Sequence, residues 1–222
     1  MNNMQTIESI FARRSIRGFL DKPVPRSVIE EVLRISQRAI SGMNVQPWRF
    51  HILSGEMLEL LRKSNIDSYE NDNGSIVGAS YQGVYRERQV AIAKKLMDSM
   101  GIRQEDKAAK SDWSKRGFRY FDAPAALILT VDSDVHQEKW TYFGIGSFSQ
   151  NFCLAAQEFG LGTCTELQGV YYSENIKKTL GIGANETLII SIAFGYPDWT
   201  FPANQVVSDR EKLEQISVWH GF

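Results

Sequence analysis

The chain has 222 residues, 43% hydrophobic and 23% charged, with a formal net charge of −1. That length and apolar content suit an ordinary globular protein with a sizeable core, and the balanced charge offers no basic field for a nucleic-acid partner. No apolar run reaches membrane-spanning length, the N-terminal MNNMQTIESI lacks a secretory pattern, and Cys153 and Cys164 have neither metal-ligand nor disulfide-framework spacing, so a cytoplasmic location is expected.

Met4 to Ala12 forms an amphipathic segment with Ile7, Ile10 and Phe11 on one helical face. FARRSIRGFL follows, placing Arg13, Arg14, Ser15 and Arg17 within five residues. Guanidinium groups beside a hydroxyl suit a phosphate; a solvated positive turn at a helix end is the alternative. After the break at Pro23 and Pro25, Ser27 to Ala39 reads as a helix burying Val28, Ile29, Val32, Leu33, Ile35 and Ser36.

Ser41 to Trp48, SGMNVQPW, reads as an irregular loop. The Asn44 and Gln46 amides could read the polar edge of a flat heterocycle, or Asn44 could stabilise an ordinary turn. Trp48 to Leu53 alternates as a strand. Glu56 to Lys63 reads as a short helix, Asp67 to Gln82 as a loop and candidate lid, and Tyr85 to Met100 as a helix. The charged stretch 101–119 suggests a solvated helical excursion.

ALILTVD, residues 126–132, is a continuous apolar run expected of a buried central strand. Trp140 to Phe159 is a helix apolar on most faces, expected in the core or against a second subunit. Gly160 caps it, and Gly162 permits close backbone approach; the spacing is not that of a dinucleotide fingerprint. Glu174 to Leu180 reads as a helix and Thr187 to Phe194 as a second buried strand. The tail 199–222 is too apolar to be left unpacked. No linker-like run divides the chain, so residues 1–222 are expected to form one domain with a helical insert near 67–120.

Four segments together resemble the FMN-dependent nitroreductase family: Arg13-Arg14-Ser15-Ile16-Arg17; Ser41 to Trp48; Gln150-Asn151 with the turn Gly160 to Cys164; and Gly195-Tyr196-Pro197. Their order and spacing fit over nearly the whole chain, and the 81–123 insert and closing WHGF are most similar to the nitrobenzoate-reductase branch. The resemblance implies an α+β fold with a mostly antiparallel central sheet flanked by helices. It also implies an intertwined homodimer with an exchanged C-terminal extension and FMN at the subunit interface.

By the same resemblance, Arg13, Arg14 and Ser15 would hold the FMN phosphate and ribityl region, Arg17 would lie near N1 and O2 of the ring, and Arg210 would close the phosphate site. Ser208, also placed at the phosphate site, stands where relatives often carry a basic residue, so that site would hold one charge fewer. Ser41, Gly42, Asn44 and Gln46 would reach the flavin from the other subunit, and the backbone of Thr165, Glu166 and Leu167 would lie near N5. Relatives often have Pro at the place of Ile40 and asparagine at that of Gly117. The implied activity is hydride transfer from NAD(P)H through flavin N5 to a nitroaromatic, quinone or similar flat electrophile, with ping-pong kinetics. Enone reduction, reductive dehalogenation and non-catalytic flavin binding are the alternatives. The flavin carries the chemistry, so no catalytic side chain and no metal is assigned. Tyr69, Tyr81, Tyr85 and Trp113 are candidates for aromatic substrate contact.

Overall fold

The computed structural model describes residues 6–72 and 81–222; part of the expected 67–82 lid lies outside them. The first half of the chain forms α1 (Thr6–Ala12), α2 (Arg26–Ser36), β1 (Trp48–Ser54), α3 (Gly55–Asn71), α4 (Gly83–Ser99) and α5 (Lys107–Lys115). The second half forms β2 (Ala125–Asp132), α6 (Lys139–Glu158), β3 (Gly162–Glu166), α7 (Ser173–Leu180), β4 (Glu186–Gly195) and α8 (Leu213–Ile216). The architecture is α+β. The sheet order is β1-β2-β4-β3 and every neighbouring pair is antiparallel.

β2 is apolar at successive positions because both its faces are covered. Leu127, Leu129 and Val131 face α2 and α6, packing with Phe148, Phe152 and Phe194. Ala126 and Ile128 face the other layer, with Leu58 and Leu61 of α3 and Ile176 of α7. Each fully buried Phe of this core contributes about 1.5–3 kcal/mol over its exposed state.

Several expectations are corrected. α3 runs to Asn71, well beyond Lys63, because Asn65 is buried and donates to the Phe118 carbonyl at 3.1 Å. The start of the loop expected from Asp67 is therefore helix as far as Asn71. Tyr69, another candidate for substrate contact, is buried and packs in the core, its ring 4.9 Å from that of Phe118. The stretch 101–119 is not wholly solvated, since Gly117 and Phe118 belong to the interior. β3 is a strand the sequence reading lacked. α6 packs one face on the sheet but leaves Trp140, Tyr142 and Phe143 exposed.

Two other apolar surfaces are uncovered. On α1 it is Ser9 that is buried, donating to Glu158, while Ile7, Ile10 and Phe11 are exposed. The tail is tied to α4 by Arg88–Glu211 at 3.0 Å and by a Lys95–Asp209 pair, yet Leu213, Ile216, Val218, Trp219 and Phe222 stay exposed. No helix among the described residues is long and apolar enough to cross a membrane.

Candidate functional site

After α1 the arginine stretch becomes extended and lies along the free side of β3. Ser15 pairs in parallel with Thr163, and the Ile16 N–H donates to the Thr163 carbonyl at 2.9 Å. Further on, Phe19 pairs with Pro197. Ile16 and Gly18 are buried, leaving Arg13, Arg14, Ser15 and Arg17 half-buried. A Cβ on Gly18 would overlap the Phe201 ring, which accounts for a glycine there.

Arg13 and Ser15 line a cavity of about 280 Å³ with Ser149, Gln150 and Cys153 of α6 and with Thr163 and Thr165 of β3. One guanidinium, four hydroxyls and an amide face this space, a donor set suited to a phosphate or polyol. Arg14 turns instead to an adjoining cavity of about 320 Å³, which Arg13 also lines. There its guanidinium lies 5.7 Å from the Trp199 ring centroid.

The Ser41–Trp48 loop holds its own shape. The Ser41 hydroxyl accepts from the Gln46 N–H at 3.1 Å, and the Gln46 amide donates to the Asn44 carbonyl at 3.2 Å. Met43, Asn44 and Gln46 are left-handed, at φ of 48°, 59° and 45°. Gly42 and Gln46 line a separate, larger cavity of about 860 Å³ with Met43, Trp48 and Trp140. Ser208 and Arg210 lie in a third place, between the tail and α4, where Arg210 donates to the Ser208 hydroxyl at 2.8 Å and to the Asp209 carbonyl at 2.9 Å. Within one chain, then, Arg13, Ser15 and Thr165 share a cavity, and the loop and the tail residues do not join it.

The nitroreductase family model matches residues 10–196, a span holding the arginine stretch, the loop and β3. The chain belongs to the nitroreductase family. It is 30% identical over 216 residues to a chloronitrobenzene nitroreductase of Comamonas testosteroni, covering 93% of each chain. It is 29% identical to a 4-nitrobenzoate reductase of Pseudomonas putida, covering 96% of this chain and 94% of that one. The fold superposes with a TM-score of 0.92 on an FMN- and NADPH-dependent nitroreductase, NfnB, of Sphigopyxis sp. strain HMH, at 27% identity over 99% of this chain and 100% of that one.

Behind β3 the groups of this chain are arranged to hold backbone in place. Glu166 keeps some surface exposure, but its carboxyl turns inward, accepting from the Gly169 N–H at 2.8 Å and the Ser191 hydroxyl at 2.9 Å. Burial raises its pKa to about 8. The Ser191 oxygen also lies 3.0 Å from the Glu166 carbonyl, so its one proton is shared between that carbonyl and the carboxyl, and the Tyr120 hydroxyl donates to the Gly169 carbonyl at 2.5 Å. Leu167 is exposed, and its carbonyl accepts from the Val170 N–H at 3.1 Å. Burial pushes the Cys164 thiol up to about 12 and raises Tyr120 as well, so both stay protonated, and an unionised thiol is a poor nucleophile.

Tyr120, Phe121 and Asp122 are three consecutive left-handed residues, at φ of 55°, 52° and 56°. Each costs about 1–3 kcal/mol in such a conformation. The turn is held by burial of Tyr120 and Phe121 and by Arg62, which donates to the Arg119 carbonyl at 2.9 Å and to that of Ala123. His51 is accounted for on the sheet, where it meets Glu186 at 3.0 Å.

The sequence reading missed Ser149, Gln150 and Cys153 as lining residues. The polar run Ser149-Gln150-Asn151, set between Phe148 and Phe152 of the core, is the signal that could have found the first two. It also missed Asn204 and Arg116, whose partners on the Arg17 backbone lie far away in sequence.

Proposed function

We propose that the chain is an FMN-dependent oxidoreductase that uses NAD(P)H to reduce nitroaromatics, quinones or similar flat electrophiles. The observation that carries this reading is the cavity where Arg13 and Ser15 meet Thr163 and Thr165, within the span matched by the nitroreductase family, with the Arg17 guanidinium donating to the carbonyl of its lining residue Ser15. Its guanidinium and hydroxyls fit the phosphate and ribityl portions of FMN. FMN, when bound, supplies the hydride-transfer chemistry.

The chain's own residues bind and orient. Arg13 and Ser15 hold the anionic end. The backbone of Thr165, Glu166 and Leu167, braced from behind by Ser191, Gly169 and Tyr120, presents a fixed edge to the ring. A guanidinium at Arg17 favours negative charge at the N1–O2 edge. Cys164, Tyr120 and Glu166 serve as structure and supply no nucleophile.

The functional unit in this proposal is a homodimer with one domain per subunit. The Ser41–Gln46 loop and the tail Arg210 lie apart from the Arg13 cavity in one chain, and a second copy brings such a loop to it. The exposed Ile7, Ile10 and Phe11 and the closing Val218 to Phe222 are the surfaces a second copy would cover. Steady-state oxidation of NADH and NADPH with a nitroarene and with a quinone tests the activity. Turnover with both acceptors is expected, and flavin that neither nicotinamide reduces would leave only a binding role.

A further inference from the structure

The geometry points to Asn204 and Arg116 as the mount that aims Arg17, two positioning residues whose loss acts on the flavin through that side chain. This rests on the reading of Arg17 as the cation at the ring. Asn204 is fully buried. Its amide oxygen accepts from the Arg17 N–H at 2.6 Å and the Gly18 N–H at 3.2 Å. Its amide nitrogen donates to the Gly18 carbonyl and to the Asp198 carbonyl, both at 2.7 Å. The remaining polar group, the Arg17 carbonyl, accepts from the Arg116 guanidinium at 2.9 Å. Each backbone polar group of Arg17 and Gly18 thus meets a side chain from one of two distant segments, and only the Gly18 carbonyl has a main-chain partner as well, the Asp198 N–H at 3.1 Å.

The partners fix the amide's orientation by chemistry alone. Two donors face its oxygen and two acceptors face its nitrogen, and turning it over would put like against like at each contact. Asn204 itself sits on the short 3₁₀ turn Pro202–Gln205, its N–H donating to the Phe201 carbonyl at 3.0 Å. Phe201 lies under the Arg116 guanidinium, 4.8 Å from it, and fills the space beside Gly18. Arg116 is anchored at its other side by Asp122 at 3.3 Å, on the left-handed turn.

The Arg17 side chain has less to hold it. It donates to the Ser15 carbonyl at 3.3 Å and is half-buried. Its aim is therefore set by its backbone. A positioned charge acts over a short distance, and a misplacement of about 1 Å in an active-site group can cost about a hundredfold in rate.

The test uses the FMN-loaded protein and two readouts: the flavin reduction potential and the rate of anaerobic reduction by NADPH or NADH. Asn204→Ala and Arg116→Gln should each lower the potential, as Arg17→Ala should, and slow reduction by about tenfold or more. Arg116→Lys, which keeps a donor and the charge, should recover most of the loss. In an Arg17→Ala background neither change should move the potential further, a non-additivity that a direct electrostatic or general structural effect would not give. Should Asn204→Ala fail to fold, Arg116→Gln, on the less buried partner, decides alone. Variants with wild-type potential, beside a shifted Arg17→Ala, would overturn the mount and leave the flavin reading standing. Shifts of equal size with and without Arg17 would overturn it too. An unchanged potential in Arg17→Ala itself would remove Arg17 from the ring, and with it both claims.

Discussion

Ser15 runs parallel to Thr163, with the N–H of the following Ile16 bonded to the Thr163 carbonyl at 2.9 Å. This short pairing places Arg13 and Ser15 over β3, on the cavity shared with Ser149, Gln150 and Thr165. A charge-assisted hydrogen bond from the Arg13 guanidinium to a bound phosphate would contribute about 1.5–3 kcal/mol. Arg13→Ala is expected to weaken FMN binding by about tenfold to a hundredfold while leaving the melting temperature of the flavin-free protein little changed. Titration of the flavin-free protein with FMN, followed by fluorescence quenching, measures the first, and a thermal melt the second.

The Glu166 carboxyl predicts a pH dependence of stability. Its pKa is raised by burial from 4.5 to about 8. A carboxyl with a folded pKa above its unfolded one binds more protons in the folded state. Stability is therefore greatest below about 4.5 from this group and is lost as pH rises towards 8. The loss across that window is on the order of a few kcal/mol at most. Glu166→Gln, which cannot ionise, should flatten the dependence, and urea midpoints of the two proteins between pH 5 and pH 8 (roughly the span over which the group titrates) check it. Parallel curves for the two would contradict the assignment.

Met43 offers a local test of loop strain. It is 98% exposed and left-handed at φ 48°, so glycine there loses little packing. A non-glycine residue in that region costs about 1–2 kcal/mol, against about 0.5–1 kcal/mol for the extra freedom glycine has when unfolded. Met43→Gly is expected to raise stability by about 0.5–1 kcal/mol, read as an increase in denaturation midpoint.

Much of the fold is readable from the chain because its central pieces are strongly patterned. β2 shows as an unbroken apolar run since both its faces are buried, and β4 and α6 show for related reasons. β3 does not: five residues, GTCTE, pair only with β4 and the short Ser15 bridge, and follow a glycine turn. The full length of α3 is hidden because Asn65 looks like a surface residue, and only its bond to the Phe118 carbonyl explains its burial.

At the site, the four segments carrying the family resemblance were legible, and so was the cluster at Arg13 and Ser15. The turning of Arg14 towards Trp199 was not, since it depends on a residue almost the whole chain away. Asn204 and Arg116 leave no local trace for the same reason: their contacts with residues 17 and 18 lie 99 to 187 positions apart.

The exposed face of α1 predicts the assembly. Phe11 is 84% exposed and Ile7 is 68% exposed, and burying a large apolar side chain gains about 1.5–3 kcal/mol per subunit. Phe11→Asp is expected to weaken the dimer by a hundredfold or more, on the order of that gain counted on both subunits. Sedimentation should then give a monomer where the wild type gives a dimer, with FMN lost from the shared site. A stable FMN-loaded monomer of the wild-type chain would contradict the shared site.

The central claim is that this chain is a flavin enzyme reduced by a nicotinamide. It is tested most directly by the visible absorbance spectrum of the purified protein, reconstituted with FMN where needed, followed anaerobically during addition of NADH and then NADPH. The flavin band should be present, should bleach with at least one of the two donors, and should return when a nitroarene or quinone is added. A colourless protein that takes up no FMN, or a yellow one that neither nicotinamide bleaches, would contradict the account.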